Sequence, residues 1–343
     1  MKKLVSIAVL IACISFCSCS LGEPEPTATP IPTEMPVKTV TISAAGDCTF
    51  ATDVNAYQTK SFVKTAEENG MAYFMENVKD IFANDDLSIV NFEGTLSENG
   101  TRQDKLFAFR GEPEYAKILT EGNIEAACLS NNHSRDYGQI SYEDTFSILE
   151  ENGIIPFDSL NAHIYEVNGI KIGMFGINQL NDIDRTRLES AIESVKAENP
   201  DLIIACIHWG IEKATKPSEA QIEYGHRAID LGADLVIGTH PHVLQGIEEY
   251  NGGTIAYSLG NFSFGGNDAP ADMDTIIYQQ TFTFKGDEKR SEINIIPCTI
   301  SSAYTSGKNN YQPTPATGYR RERIINKMNG YIEDLGGIDV IYK

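Results

Sequence analysis

From about residue 38 the chain alternates short apolar runs with amphipathic stretches, and six of the apolar runs end in a carboxylate, an amide or an imidazole. The runs that read as strands are Val40–Ala45, Leu87–Phe92, Ile124–Leu129, Ile170–Gly176, Leu202–Ile207, Leu235–Gly238 and Thr254–Leu259. Helical periodicity predicts helices at Ala72–Asn84, Pro113–Glu121, Ser141–Asn152, Arg185–Glu198 and Glu219–Leu231. Gly122, Gly153 and Gly232 sit where helices should stop. Such alternation predicts a layered α/β fold around a largely buried sheet. Near the end, Ile276–Phe284 and Ile293–Ile300 read as consecutive strands and add antiparallel pairing, and residues 304–325 read as a loop before a short final helix or strand.

The polar residues fall at the strand ends. Val40–Ala45 leads into Gly46-Asp47, Leu87–Phe92 into Glu93, and Ile124–Leu129 into Ser130-Asn131-Asn132-His133. Leu202–Ile207 delivers His208, with Glu212 close behind, Leu235–Gly238 delivers His240 and His242, and Thr254–Leu259 delivers Asn261. Open α/β sheets build their sites at the carboxyl ends of strands, where loops diverge. Asp, Glu, Asn and His together suit one or two divalent cations of the zinc, manganese or iron kind rather than calcium alone. Paired cations clamp a phosphoryl group and activate water. The chain carries no phosphate-binding loop, no serine nucleophile elbow and no Cys/His nucleophile pair.

Single polar residues also have plain uses. His163 and His226 read as structural, His226 through surface pairing with Asp230. Trp209 reads as core, Asn261 as a turn cap or a site residue, and Arg110 as a solvated arginine or a contact for an anionic substrate.

The formal net charge of −21 on 343 residues argues against nucleic acid as a partner. Seven cysteines do not form a disulfide framework: three lie before residue 20, and Cys48, Cys128, Cys206 and Cys298 are far apart in apolar runs, as buried free thiols are. At the start, Lys2 and Lys3 precede an apolar run from Leu4 to Phe16 that is too short to span a bilayer but suits a signal-peptide core. Cys17-Ser18-Cys19 closes it, and Cys19 is the expected site of lipidation, with Cys13 and Cys17 as alternatives and plain secretion as the competing reading. Residues 20–37, with Pro24, Pro26, Pro30, Pro32 and Pro36, read as a polar tether. The folded part is then expected at the extracellular face of the cytoplasmic membrane.

The ordered set "AAGD", "VNFEGTLS", "LSNNHSRDYG", "IHWGIE", "GTHPHVLQGIE" and "YSLGNFSFG" resembles the CapA-type capsule-synthesis proteins associated with poly-γ-glutamate, within the calcineurin-like metallophosphatase superfamily. The resemblance covers about residues 38–300. It implies an αββα sandwich, two facing mixed sheets flanked by helices, over residues 38–303, with 304–343 as a C-terminal extension. It implies Asp47, Glu93, Asn132, His208, His240 and His242 as metal ligands, with His133 as the acid at the leaving group. Asp136 would orient His133, and Glu212 would support His208. Two departures stand out: Asp47-Cys48-Thr49 lacks the histidine of the superfamily's Asp-x-His, and Glu93 replaces an aspartate. Two functions follow as expectations. One is a metal-dependent hydrolase acting on a phosphoester or a cell-envelope polymer. The other is a non-catalytic assembly component that handles capsule polymer beside membrane proteins of capsule synthesis.

Overall fold

Burial along the strands has a period of two, and the two sets of side chains belong to different layers. Leu202, Ile204 and Cys206 share a core with Val40, Ile42, Leu87 and Ile89, whereas Ile203, Ala205 and Ile207 pack with Leu188, Ile192, Val195 and Ala228. On the other sheet, Val90, Phe92 and Ala127 pack outward against Phe62, Phe74, Ile118 and Leu149. Alternation of this kind, apolar on both faces, arises when a sheet is covered on both sides. The computed structural model describes residues 35–56, 61–180, 185–303 and 307–343, and those from Pro36 onward form one unit. Cys19, the expected leader and most of the expected tether lie outside the described residues.

Among the described residues, one sheet runs in the order Thr314–Pro315, Glu288–Thr299, Asp274–Lys285, Val37–Thr49, Leu87–Phe92, Ala126–Cys128, Ile155–Phe157. From Val37–Thr49 to Ile155–Phe157 the pairing is parallel, and the Asp274–Lys285/Glu288–Thr299 hairpin adds antiparallel strands. The facing sheet runs Ile247–Tyr250, Gly253–Ala256, Leu235–Thr239, Leu202–His208, Ile170–Asn178, His163–Val167, parallel within and antiparallel at both edges. The inter-sheet core and the two helix-facing cores make the expected αββα sandwich, each buried Ile or Leu contributing roughly 2 kcal/mol.

The strand readings hold closely at Leu87–Phe92, Leu202–His208 and Leu235–Thr239. Three readings need correction. The helix expected at Ala72–Asn84 is broken into a 3-10 turn, Met71–Tyr73, and a short helix, Lys79–Phe82, because Val78 leaves helical geometry with φ −127° while Phe74, Met75 and Val78 are buried against Phe62. The strand expected at Thr254–Leu259 stops at Ala256, and the chain then crosses sheets, with Asn261–Phe264 pairing parallel to Val37–Thr49. The loop expected to reach residue 325 ends earlier: Gly318–Glu333 is helical and puts Ile324, Met328 and Ile332 into the inter-sheet core. Arg323 and Lys327 of that helix bind the buried Asp274 carboxylate, so the C-terminal segment is built into the sandwich.

Candidate metal centre

Close backbone packing sets the first ligand. A β-carbon on Gly46 would lie 1.8 Å from Gly260 O, so only glycine lets the two chains meet there. Asp47 N donates to Gly260 O at 2.9 Å, which holds the Asp47 side chain at the strand crossing. Glu93 follows Leu87–Phe92 directly, its N donating to Cys48 O at 2.8 Å. His208 is the last residue of its strand. After Thr239 the chain turns through His240 and His242, whose φ values of 95° and 58° are left-handed. Such backbone costs on the order of 1–3 kcal/mol per residue and persists where the surroundings impose it. Here it puts both imidazoles beside His208, with ring centres 4.8 Å apart for His208–His240 and 5.7 Å for His240–His242.

Glu93 is the hub. Its side chain is buried and neither carboxylate oxygen has a hydrogen-bond partner. Oε1 lies 3.6 Å from His208 Nε2 and 3.9 Å from both His242 Nε2 and His133 Nε2. Glu93, His208 and His240 each offer a ligand atom within 4.8 Å of the others, and so do Asp47, Glu93 and His242. Glu93 is common to both groups. His242 Nδ1 stands 3.1 Å from Asp47 Oδ2 and 2.9 Å from Asn261 Oδ1, and Asn132 Oδ1 stands 2.9 Å from His208 Nε2. A buried carboxylate without donors is costly by several kcal/mol unless a cation meets it. His240 Nδ1 is likewise buried without a partner. The donor set and these orphaned atoms fit divalent metal.

Electrostatics agrees. Burial pushes the Glu93 carboxyl up to about 8, with Asp47, Asp136 and Glu212 adding to the rise and His242 opposing it. Burial holds His208 well below the usual imidazole range and His240 down to about 4, so both are neutral lone-pair donors near pH 7. Burial pushes His242 down as well, but Glu93 and Asp47 outweigh it and hold this imidazole at about 10.

The bacterial capsule synthesis protein PGA_cap family model matches residues 41–266. The chain belongs to this family. As a PGA_cap protein it is 29% identical over 223 residues to a capsule biosynthesis protein CapA of Bacillus anthracis, covering 57% of this chain and 54% of that one. It is 30% identical over 224 residues to a PGA biosynthesis protein CapA of Bacillus subtilis, covering 59% of each. A probable polyglutamine synthesis accessory protein of Mycobacterium tuberculosis is 26% identical over 208 residues, covering 51% of this chain and 55% of its own. The chain thus spans just over half the length of the curated relatives it matches. Among solved structures, a hypothetical protein from Thermus thermophilus aligns with TM-score 0.47 and 16% identity over 75% of this chain and 99% of its own. A 5'-nucleotidase from Candida albicans aligns with TM-score 0.42 and 12% identity over 88% and 58%.

In this PGA_cap protein the expected ligands Asp47, Glu93, Asn132, His208, His240 and His242 meet at one edge of the sandwich. His133 joins them: Nδ1 pairs with Asp136 Oδ2 at 2.7 Å, as expected of an orienting carboxylate, and the ring packs on Phe109 at 4.7 Å. Asn261 is in the site but starts a strand rather than ending one. Glu212 does not support His208: it is exposed, whereas His208 Nδ1 faces Thr239 Oγ1 at 3.0 Å and Asn91 Nδ2 at 3.4 Å. The Arg110 guanidinium stacks over Tyr137 at 4.2 Å and donates to Asn99 O. His226 pairs with Glu248 and stacks on Tyr250 instead of meeting Asp230.

Three residues were missed. Asn91 donates to Asp47 Oδ1 at 2.8 Å and sits beside His208, and a lone amide inside the apolar run LSIVNF was the readable signal. Thr239, which faces His208, ends an apolar run just before the expected ligands. Lys105 donates to Asp136 Oδ1 at 2.7 Å and to Asn132 O at 2.9 Å, and nothing in its sequence neighbourhood announces it. Its loop is tied down by the buried Asp53, which accepts from Arg102 Nη2 at 2.7 Å and Ala108 N at 2.6 Å.

Proposed function

We propose that this protein is a metal-dependent hydrolase, lipid-anchored through Cys19 at the extracellular face of the cytoplasmic membrane, acting in capsule or poly-γ-glutamate metabolism on a cell-envelope polymer or a phosphoester. The observation that carries the reading is Glu93, a buried carboxylate with no hydrogen-bond donor, flanked by the Nε2 atoms of three histidines. Asp47, Glu93 and His242 would hold one cation, and Glu93, His208 and His240 the other. Bound divalent cations supply Lewis-acid polarisation and activated water. His133 faces the same space through Nε2 while Asp136 holds Nδ1, and it would pass a proton to a departing oxygen or nitrogen. Asn91 and Thr239 fix Asp47 and His208 from behind. The printed functions of the curated relatives, capsule and PGA biosynthesis, support an envelope polymer as the setting.

The test is metal analysis of the purified protein beside a His240→Ala/His242→Ala variant. Near-stoichiometric zinc, manganese or iron that disappears in the variant is expected. Failure to retain any of the three ions after reconstitution sinks the hydrolase reading. One observation favours a second reading, an assembly component without chemistry: Thr49 occupies the position where the resemblance calls for histidine, and its hydroxyl is buried without a partner. For the anchor, fatty-acid labelling that persists in Cys19→Ala would overturn the assignment.

A further inference from the structure

Among the described residues, Cys48, Cys128, Cys206 and Cys298 carry free, buried thiols. They fall into two classes. Cys128 ends Ala126–Cys128 in one sheet, Cys206 lies within Leu202–His208 in the other, and both belong to the core between the sheets. Cys48 and Cys298 belong instead to the core on the outer face of the first sheet, where backbone at Ser263 and Ile277 meets their thiols.

Facing sheets stand about 10 Å apart, too far for two short side chains to touch unless one layer gives way. Here it gives way at Gly176, the register partner of Cys206 on the neighbouring strand. A β-carbon on Gly176 would lie 2.5 Å from Cys128 Sγ, so the thiol of one sheet fills the space where the other sheet lacks a side chain. Neighbouring strands are only about 4.8 Å apart, which puts the Cys128 sulfur beside Cys206. Burial, and then a hydrogen bond with the Cys128 thiol, push the Cys206 thiol well above its usual range. Further along the same two chain segments, Asn132 Oδ1 meets His208 Nε2 at 2.9 Å. The two thiols therefore sit behind the edge where the sheets converge, and the chemistry at that edge uses neither.

We infer that Cys128 and Cys206 are a disulfide site, and that oxidation joins them into a bond stapling the two sheets behind the metal centre. The oxidant is a small-molecule disulfide. One cysteine sulfur attacks it, forms a mixed disulfide and releases one small thiolate. The second cysteine sulfur attacks the protein sulfur of that mixed bond and releases the other. The protein gives up two electrons and two thiol protons, and the small disulfide takes up both as two thiols. The route to the sulfurs is a cavity of about 550 Å³. It is lined by Leu129 and Ile177, next in the chain to Cys128 and Gly176, and by Ser130, whose Oγ lies 2.8 Å from the same glycine gap. A bond between segments so far apart in the chain closes a long loop and stabilises the fold chiefly by restricting the unfolded chain. The site is the same whether or not the centre holds metal.

The test incubates the full-length protein in mild detergent with hydroxyethyl disulfide, a neutral reagent that the net charge of −21 does not repel. Free thiols are then alkylated, and linked peptides are mapped by mass spectrometry after digestion. The expected product is a peptide pair joined through Cys128 and Cys206, with Cys48 and Cys298 alkylated. The melting temperature should rise by about 5 °C and return on treatment with dithiothreitol. Cys206→Ala should show neither the linked pair nor the rise, and Cys48→Ala/Cys298→Ala should show both. A parallel incubation in urea just below the unfolding midpoint lets the sheets open transiently and removes access as a barrier. No linked pair under either condition overturns the site. A linked pair that lowers the melting temperature or abolishes the cooperative melt overturns it too, since the bond would then belong to a distorted fold. These readings on the native protein decide the question even where a variant fails to fold.

Discussion

His208 Nε2 lies 3.6 Å from Glu93 Oε1, yet the two residues come from different sheets of the sandwich and neither Glu93 oxygen has a hydrogen-bond donor. The pair spans the edge where both sheets end. Water or an amide donor could have satisfied Glu93 at little cost, but the side chains that converge on it are imidazoles with depressed or contested protons. An edge built so is poised for cations and is strained without them.

Metal uptake should release protons. At pH 7 the Glu93–His242 pair holds protons that ligation requires to leave, because His242 is held up at about 10 and Glu93 at about 8. Affinity is expected to rise with pH between 6 and 9, by about 10-fold per pH unit for each proton released. Calorimetric titration in buffers of different ionisation enthalpy reads this directly. An observed enthalpy independent of buffer would refute it.

Asp136→Asn should be costly beyond any loss of activity. The Asp136 carboxylate accepts from Lys105, from His133 and from Phe109 N, and it is 1% exposed. Removing its charge leaves Lys105 without its ion-pair partner and should destabilise the fold by about 2–4 kcal/mol. Urea unfolding of Asp136→Asn beside Asp136→Asn/Lys105→Met is the check; the double variant should recover part of the loss, since Met removes the stranded charge.

Asp85 gives stability a pH dependence of its own. Burial pushes its carboxyl up to about 7, with Glu125 and Asp86 adding to the rise against hydrogen bonds from Ser43 and Ser88. A raised folded-state pKa means a contribution that is complete below about pH 4 and is lost as pH climbs through 7. Asp85→Asn should therefore leave stability near pH 4 unchanged and raise it at pH 8 by about 1–2 kcal/mol. Unfolding midpoints at the two pH values decide it; a gain at pH 4 that fades by pH 8 would contradict the sign.

Gly46→Ala should disable the site from behind. The added methyl would meet Gly260 O at 1.8 Å, against backbone that cannot swing aside. Moving the crossing shifts Asp47, whose N is bound there, at a cost of about 3 kcal/mol or more. Metal content and melting temperature should fall together. Gly153→Ala, where the space is open but φ is +79°, should cost only the backbone strain and keep the metal.

Truncation after Ala316 should abolish soluble folding. It removes Ile324, Met328 and Ile332 from the inter-sheet core and strips Asp274 of Arg323 and Lys327. Expression of residues 1–316 as a soluble, cooperatively melting protein would count against this account.

What the sequence determined by itself is the layered fold and most of the ligand set. Period-two apolar runs covered on both faces must be sheet strands between helices, and polar side chains at their ends must gather where the strands end. Asp47, Glu93, His208, His240 and His242 stood out as candidate ligands for that reason, and the family resemblance singled out Asn132. Tertiary structure decided the rest, because it depends on contacts between residues far apart in the chain. Lys105 reaches Asp136 from a loop held by Asp53, and Thr239 rather than Glu212 meets His208. Asn261 enters the site only because the chain crosses sheets at Gly260, and the C-terminal helix becomes core only when both sheets are present to receive it. Local spacing encodes which face a residue occupies, and only packing encodes what stands opposite.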